Sequence, residues 1–245
     1  MEIDFPRTTE GLKKLWREAF GDEEAFIDGF FKTAYAPDRC RCIVDGGETA
    51  AMLFWLDGTF RGEKFAYVYA VATGEPFRGR GLCRALMEDT HALLKQEGYA
   101  AALLYPAEAG LREMYRSLGY RDWGRSEEFT CTAAGTLPLR RVSPEEYGRL
   151  RRVLLPGDGL IQEGPSLAFL AESAQLWAGQ DILLAASVED DTLRAAEFLG
   201  DPRLAPAAVA ALDCRSGFFR QGAAAMILPF KKNAVLPGYL GLVFD

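Results

Sequence analysis

The segment Val71-Ala72-Thr73-Gly74-Glu75-Pro76-Phe77-Arg78-Gly79-Arg80-Gly81-Leu82-Cys83-Arg84 concentrates residues that bind anions. Glycines let backbone approach a ligand closely, and a helix starting near Leu82 presents unpaired N–H groups with partial positive charge. Arg78, Arg80 and Arg84 add three cations with no neighbouring acid, in a chain whose net charge is −7. That is the construction of a pyrophosphate cradle. A dinucleotide fingerprint fits less well, because Arg84 stands where a third glycine would be, and no Gly-Lys-Ser/Thr exists to make a P-loop.

The elements around the loop must hold it in place. Phe65 to Ala72 alternates as a strand, and Leu82, Leu86 and Leu93 with Cys83, Met87 and Leu94 form one helical stripe that ends near Glu97-Gly98. Tyr99 to Tyr105 is nearly all apolar, as in a sheet covered on both faces, so a strand, crossover helix and parallel strand are expected. Upstream, Leu12, Leu15, Trp16 and Phe20, then Phe26, Ile27, Phe30 and Phe31, mark two helices. Cys40 to Val44 and Ala50 to Leu56 read as an antiparallel hairpin about Gly46-Gly47. Downstream, a short helix carries Leu111, Met114, Tyr115 and Leu118, and short strands reach about Ala133.

Small residues from Thr132 to Pro138 mark a boundary, giving expected domains 1–135 and 139–245. The second half opens on the capping box Ser143-Pro144-Glu145-Glu146. A helix from Ser166 through Trp177 to Gly179 follows, then a hairpin of Asp181 to Val188 with Thr192 to Leu199. A helix from Ala205 and strands at Ala223 to Leu228 and Tyr239 to Phe244 complete the pattern. Two helices and a hairpin thus occur twice, about 135–140 residues apart, as in a diverged copy.

Composition narrows the function. Hydrophobic residues at 49% and charged residues at 26% describe a globular chain of 245 residues, and 28 − 35 = −7 argues against a general nucleic-acid binder. No apolar run approaches membrane-spanning length and Met1 to Pro6 lacks a signal-like core, so a cytoplasmic protein without membrane contact is expected. Five scattered cysteines do not suggest a disulfide framework, and Cys40, Cys42 and the single His91 do not suggest a metal site.

Arg78, Gly81 and Cys83 resemble the Arg/Gln-x-x-Gly-x-Gly/Ala signature of the GNAT superfamily of acetyl-coenzyme A dependent N-acetyltransferases, with cysteine replacing the small last residue. Val71-Ala72-Thr73 is similar to the family's strand before that loop, and Tyr115-Arg116-Ser117-Leu118-Gly119-Tyr120 to its Tyr-x-x-x-Gly-Phe/Tyr ending. The resemblance spans roughly residues 8–130. It implies an α/β (α+β) fold with a mixed, mostly antiparallel sheet flanked by helices, followed by a smaller αβ domain without a cofactor loop. It also implies acetyl-CoA as cosubstrate, with pantetheine along Val71, Ala72 and Thr73 and diphosphate on Arg78, Gly79, Arg80, Gly81, Leu82, Cys83 and Arg84. The Val71 N–H would stabilise the oxyanion, and Tyr115 occupies the general-acid position. Glu63, Glu108 or an ordered water would serve as base. The tail Leu236 to Asp245 is similar to the ends of two-domain members, which adds Asp245 to those bases.

The expected reaction moves acetyl from acetyl-CoA to a small-molecule or peptide amine in a ternary complex, without a metal. The second half would shape the acceptor cleft or a homodimer contact. The competing readings are an inactive CoA-binding sensor or scaffold and a nucleotide-dependent oxidoreductase.

Overall fold

A computed structural model describes residues 2–244. The chain forms two compact units, one running to Asp122 and including Met226–Val235, the other comprising Trp123–Ala225 and the segment from Leu236 onward.

The first unit contains β1 (Glu2–Asp4), α1 (Glu10–Phe20), α2 (Glu24–Thr33), β2 (Cys40–Asp45), β3 (Glu48–Phe60), β4 (Glu63–Thr73), α3 (Leu82–Gln96), β5 (Ala101–Leu104), α4 (Leu111–Ser117) and β6 (Arg121–Trp123). Its core follows the periodicities that define the elements. Leu12, Leu15 and Trp16 bury one face of α1, while Leu82, Leu86, Met87 and Leu94 of α3 pack with Leu53, Trp55, Ala66 and Val68 of the sheet. The expected hairpin is β2 and β3, paired antiparallel, and the expected crossover places β5 parallel to β4.

The second unit contains β7 (Glu127–Thr132), β8 (Arg140–Arg141), α5 (Pro144–Leu154), β9 (Ile161–Gln162), α6 (Pro165–Ser173), β10 (Gln175–Gly179), β11 (Ile182–Glu189), β12 (Thr192–Leu199), α7 (Ala205–Ala211) and β13 (Ser216–Gln221). The last strand, β14 (Ala225–Pro229), pairs antiparallel with β5 of the first unit. Strands run β1-β2-β3-β4-β5-β14-β6 in one sheet and β7-β13-β12-β11-β10-β8 in the other. Both sheets are mostly antiparallel, with β12 and β13 parallel as β4 and β5 are.

These orders superpose. Reading β8 for β1, β10 for β2, β11 for β3, β12 for β4 and β13 for β5 reproduces the sheet, and α5, α6 and α7 fall where α1, α2 and α3 do. The strand beyond β5 comes from late in the sequence, whereas the strand beyond β13 is β7, from before the second set of helices.

Three local expectations need correction. The helix expected to run to Gly179 ends at Ser173, and Gln175–Gly179 is strand β10. Leu176 and Ala178 are buried against exposed Gln175, a two-residue alternation that β11 satisfies by pairing along β10. The strand expected at Ala223 begins at Ala225. The tail Tyr239 to Phe244 is buried through Val243 but is not a strand, forming only an isolated bridge between Tyr239 and Gly159. A side chain replaces the missing neighbour: Gln162 accepts from Leu242 N at 3.1 Å and donates to Leu242 O at 2.9 Å.

Among the described residues, no helix is long and apolar enough to cross a membrane, no group of three or more His, Cys, Asp or Glu could hold a metal ion, and all five cysteines are free.

Candidate active site

The site begins where β4 leaves β5. β4 pairs with β3 as far as Thr73, opposite Ala51, but with β5 only at Phe65, Ala66 and Tyr67. The divergence follows a bulge: the register with β3 shifts between Met52 and Phe54, and Ala70 takes a left-handed φ of 48°. Gly74 N donates to Ala50 O at 2.9 Å and so faces β3. Strand alternation then turns the backbone groups of Val71 and Thr73 to the opposite edge, where no strand pairs with them. The Thr73 Oγ1 atom is buried without a hydrogen-bond partner among the described residues.

After β4 a short 3₁₀ turn, Glu75–Phe77, leads into the glycine loop. Gly79 and Gly81 have φ of 74° and 76°, so glycine there avoids left-handed strain, and a β-carbon at either position would project into open space. Helix α3 starts at once, with Gly81 as N-cap. The N–H groups of Gly79, Arg80, Gly81, Leu82, Cys83 and Arg84 donate to no described residue. These unpaired donors, beside the positive end of a four-turn helix, fit a diphosphate.

The three guanidinium groups are engaged more than the sequence suggests. Arg78 Nε donates to Thr73 O at 3.2 Å, a neutral partner that leaves its charge uncompensated. Arg80 forms an ion pair with Asp45 in the β2–β3 turn, at 2.7 Å. Arg84 donates to Ser117 Oγ at 2.6 Å and Ser117 O at 3.3 Å, at the end of α4, and pairs loosely with Glu88 at 3.4 Å.

Tyr115 lies on α4, 6% exposed, within the core formed with Leu82 and Leu86 of α3, and its ring meets Tyr120 edge-on at 5.8 Å. Its hydroxyl makes no hydrogen bond to a described residue. Burial, helped by the neighbouring Cys83 thiol, pushes the phenol well above its ordinary pKa. Burial likewise raises the half-buried Cys83 thiol, against the lowering effect of Arg84. His91 on α3 is a core residue: it bonds Tyr120 Oη at 2.9 Å, and burial lowers its pKa to about 4.

The candidate bases separate. Glu63 begins β4, eight residues from Val71 and thus roughly 26 Å away along a strand, and it is ion-paired with Lys231. It cannot reach the divergent edge. Glu108 sits exposed in the loop between β5 and α4, on the side where β5 parts from β4. Asp245 lies outside the described residues.

A cavity of about 1370 Å³ lies against α1 and the β2–β3 turn and reaches the loop only at Gly74, Pro76 and Phe77, away from the unpaired amides. Ala70 and Ser117, which shape the site, carry no chemical signal in the sequence. An alanine reveals its left-handed conformation only in place, and Ser117 acquires its role from an arginine 33 positions earlier.

The corresponding turn of the second unit is closed. β12 also bulges, between Ala185 and Ala186 of its partner register, and pairs with β13 only to Ala195. Gln221 Nε2, from the end of β13, donates to Gly200 O at 3.0 Å and so bridges the gap. The turn into α7 reads Asp201-Pro202-Arg203-Leu204-Ala205-Pro206; Asp201 caps it by accepting from Arg203 N at 2.9 Å, and two prolines remove N–H donors. Earlier on β12, Glu197 forms a wholly buried pair with Arg151 of α5 at 2.9 Å, with Tyr147 Oη donating to Glu197 at 2.9 Å.

None of the curated proteins matches the sequence. The fold is similar to that of a GCN5-related N-acetyltransferase from Kribbella flavida, with TM-score 0.72 and 17% identity over 93% of this chain and 71% of that one. It is similar to another from Anabaena variabilis, with TM-score 0.71 and 17% identity over 92% and 72%. A putative acetyltransferase from Pyrococcus horikoshii is matched over 99% of this chain and 94% of that one, with TM-score 0.66 and 12% identity. Residues 6–122 match the family model of the acetyltransferase (GNAT) domain. The segment holding the divergent strand, the glycine loop and α3 therefore lies within the part of the chain that matches the acetyltransferase (GNAT) domain, in a fold similar to those acetyltransferases.

Proposed function

We propose that the first unit moves an acetyl group from acetyl-CoA to a primary amine by direct attack while both are bound. The observation that carries this reading is the run of amides from Gly79 to Arg84 that have no partner among the described residues, one short turn after the edge of β4 that β5 leaves. Bound acetyl-CoA supplies an activated thioester. The amides and Arg78 hold its diphosphate, and the Val71 and Thr73 backbone offers strand-like partners to the pantetheine. The otherwise orphaned Thr73 Oγ1 gains a partner there. The Val71 N–H donates to the acyl oxygen as negative charge develops on it.

Tyr115 stays protonated throughout the physiological range, so it offers a proton to a departing thiolate. A thiol near pKa 8.5 and a phenol near 10 differ by about 2 kcal/mol, and burial of Tyr115 widens the gap. Its first contribution is therefore a hydrogen bond to sulfur. The amine proton passes to water or to Glu108. In the second unit Asp201 caps the corresponding turn, Pro202 and Pro206 lack N–H donors and Gln221 bridges the parted strands, and the halves 1–135 and 139–245 are best read as copies of which only the first keeps a cofactor site.

Thiol release from acetyl-CoA with a panel of primary amines (a polyamine, an aminoglycoside and a lysine peptide) tests the reading. Turnover with at least one amine is expected, and Tyr115→Phe should lower kcat about 10- to 100-fold with little change in cofactor affinity. Cofactor binding without thiol release for any amine would instead favour a sensor.

A further inference from the structure

We infer that Arg84 is a positioning residue that couples occupancy of the amide cradle to the helix carrying Tyr115, rather than a side-chain ligand of the diphosphate. The inference rests on the cofactor reading above. Arg84 belongs to the cradle through its backbone N–H, in the first turn of α3. Its guanidinium points elsewhere: Nη2 donates to Ser117 Oγ at 2.6 Å and Nη1 to Ser117 O at 3.3 Å.

Ser117 is the last residue of α4, two positions after Tyr115, and its hydroxyl donates back to Met114 O at 2.6 Å. A cation at this end satisfies a carbonyl of the final turn and complements the helix dipole. The preceding residue, Cys83, lies against Tyr115 in the same core. Two adjacent residues of the cradle therefore touch α4, one at the phenol and one at the helix end.

A seven-residue helix has little intrinsic stability. Its hold on the phenol depends on such outside contacts. An anion that fixes the first turn of α3 also fixes the Arg84 backbone, and the guanidinium transmits that order to Ser117 and the turn bearing Tyr115. Arg78, which bonds the neutral Thr73 carbonyl and pairs with no acid among the described residues, remains the side chain available to the diphosphate.

Amide hydrogen exchange over residues 111–120, with and without saturating CoA, tests the coupling independently of turnover. In the wild type, CoA should slow exchange there about tenfold or more. Arg84→Ala and Ser117→Ala should bind CoA within about threefold of wild type yet lose most of that protection, and the double variant should lose no more than Arg84→Ala alone. Arg84→Lys, which keeps a donor for the Ser117 carbonyl, should recover part of it. Where thiol release is measurable, kcat should fall and the KM for acetyl-CoA should hold.

A tenfold or greater loss of CoA affinity in Arg84→Ala would overturn the inference and make the guanidinium a phosphate ligand. CoA-induced protection of 111–120 unchanged in Ser117→Ala, which deletes one hydroxyl and leaves the fold intact, would overturn it as well. A wild-type chain that binds no CoA defeats the cofactor reading itself, whereas normal binding with unaltered coupling in the variants defeats this inference alone.

Discussion

After β4 the chain turns through Gly79 and Gly81 into α3 and leaves six consecutive amides without a partner among the described residues; after β12 it turns through Asp201 and two prolines into α7. Both strands bulge, and both part from a parallel neighbour. A divergent strand and a following helix are thus insufficient for an anion site. The first turn has donors, space and an uncompensated arginine. In the second, the Asp201 carboxylate occupies the Arg203 N–H, two prolines lack a donor, and Gln221 spans the gap. The two turns differ by a few side chains, while the order of the strands is shared.

The contrast can be sharpened by perturbing each side. The largest effect is expected where the second unit has filled its interior. Glu197→Ala strands the buried Arg151 charge and should cost about 3–5 kcal/mol in denaturant unfolding, whereas a cost near zero would mean that the pair contributes nothing there.

His91 gives the next effect, through pH. Its pKa falls from 6.5 to about 4 on folding, so the unfolded chain binds more protons between those values. Stability should drop as pH falls through that window, by roughly 3 kcal/mol in total. In His91→Gln, which can still bond Tyr120, this part of the pH dependence should vanish; an identical acid limb in both proteins would mean that other groups cause it.

Smaller and opposite in sign is Thr73→Val. Removing an orphaned buried hydroxyl should stabilise the ligand-free chain by about 1 kcal/mol while weakening acetyl-CoA binding. Destabilisation would show that the hydroxyl is already satisfied. The smallest shift belongs to Ala70→Gly, which relieves left-handed strain and should raise the thermal midpoint through about 0.5–1 kcal/mol.

Periodicity made much of this molecule legible. The stripe of α3, the apolar run at β5 and the alternation of β4 each depend on residues close in sequence, and so do the glycines of the loop. What escaped depends on distant partners. Trp177 reads as the end of a helix until β11 pairs with β10. Tyr239 to Phe244 reads as a strand because nothing local says that Gln162, 80 positions earlier than Leu242, supplies the hydrogen bonds of a neighbour. The arginines of the loop are visible as charges, but Asp45 and Ser117, which hold two of them, are not. Glu63 offers a base by residue type, but strand length sets it roughly 26 Å from Val71.

Calorimetric titration of the intact chain with acetyl-CoA, beside Gly81→Asp, probes the free amides most directly. The aspartate would bring a β-carbon into a left-handed position and a carboxylate into the cradle, much as Asp201 does in the second unit. One acetyl-CoA per wild-type chain is predicted, with affinity falling about a hundredfold or more, near 2.7 kcal/mol, in the variant. Two molecules per chain, or equal affinity in the two proteins, would contradict the assignment.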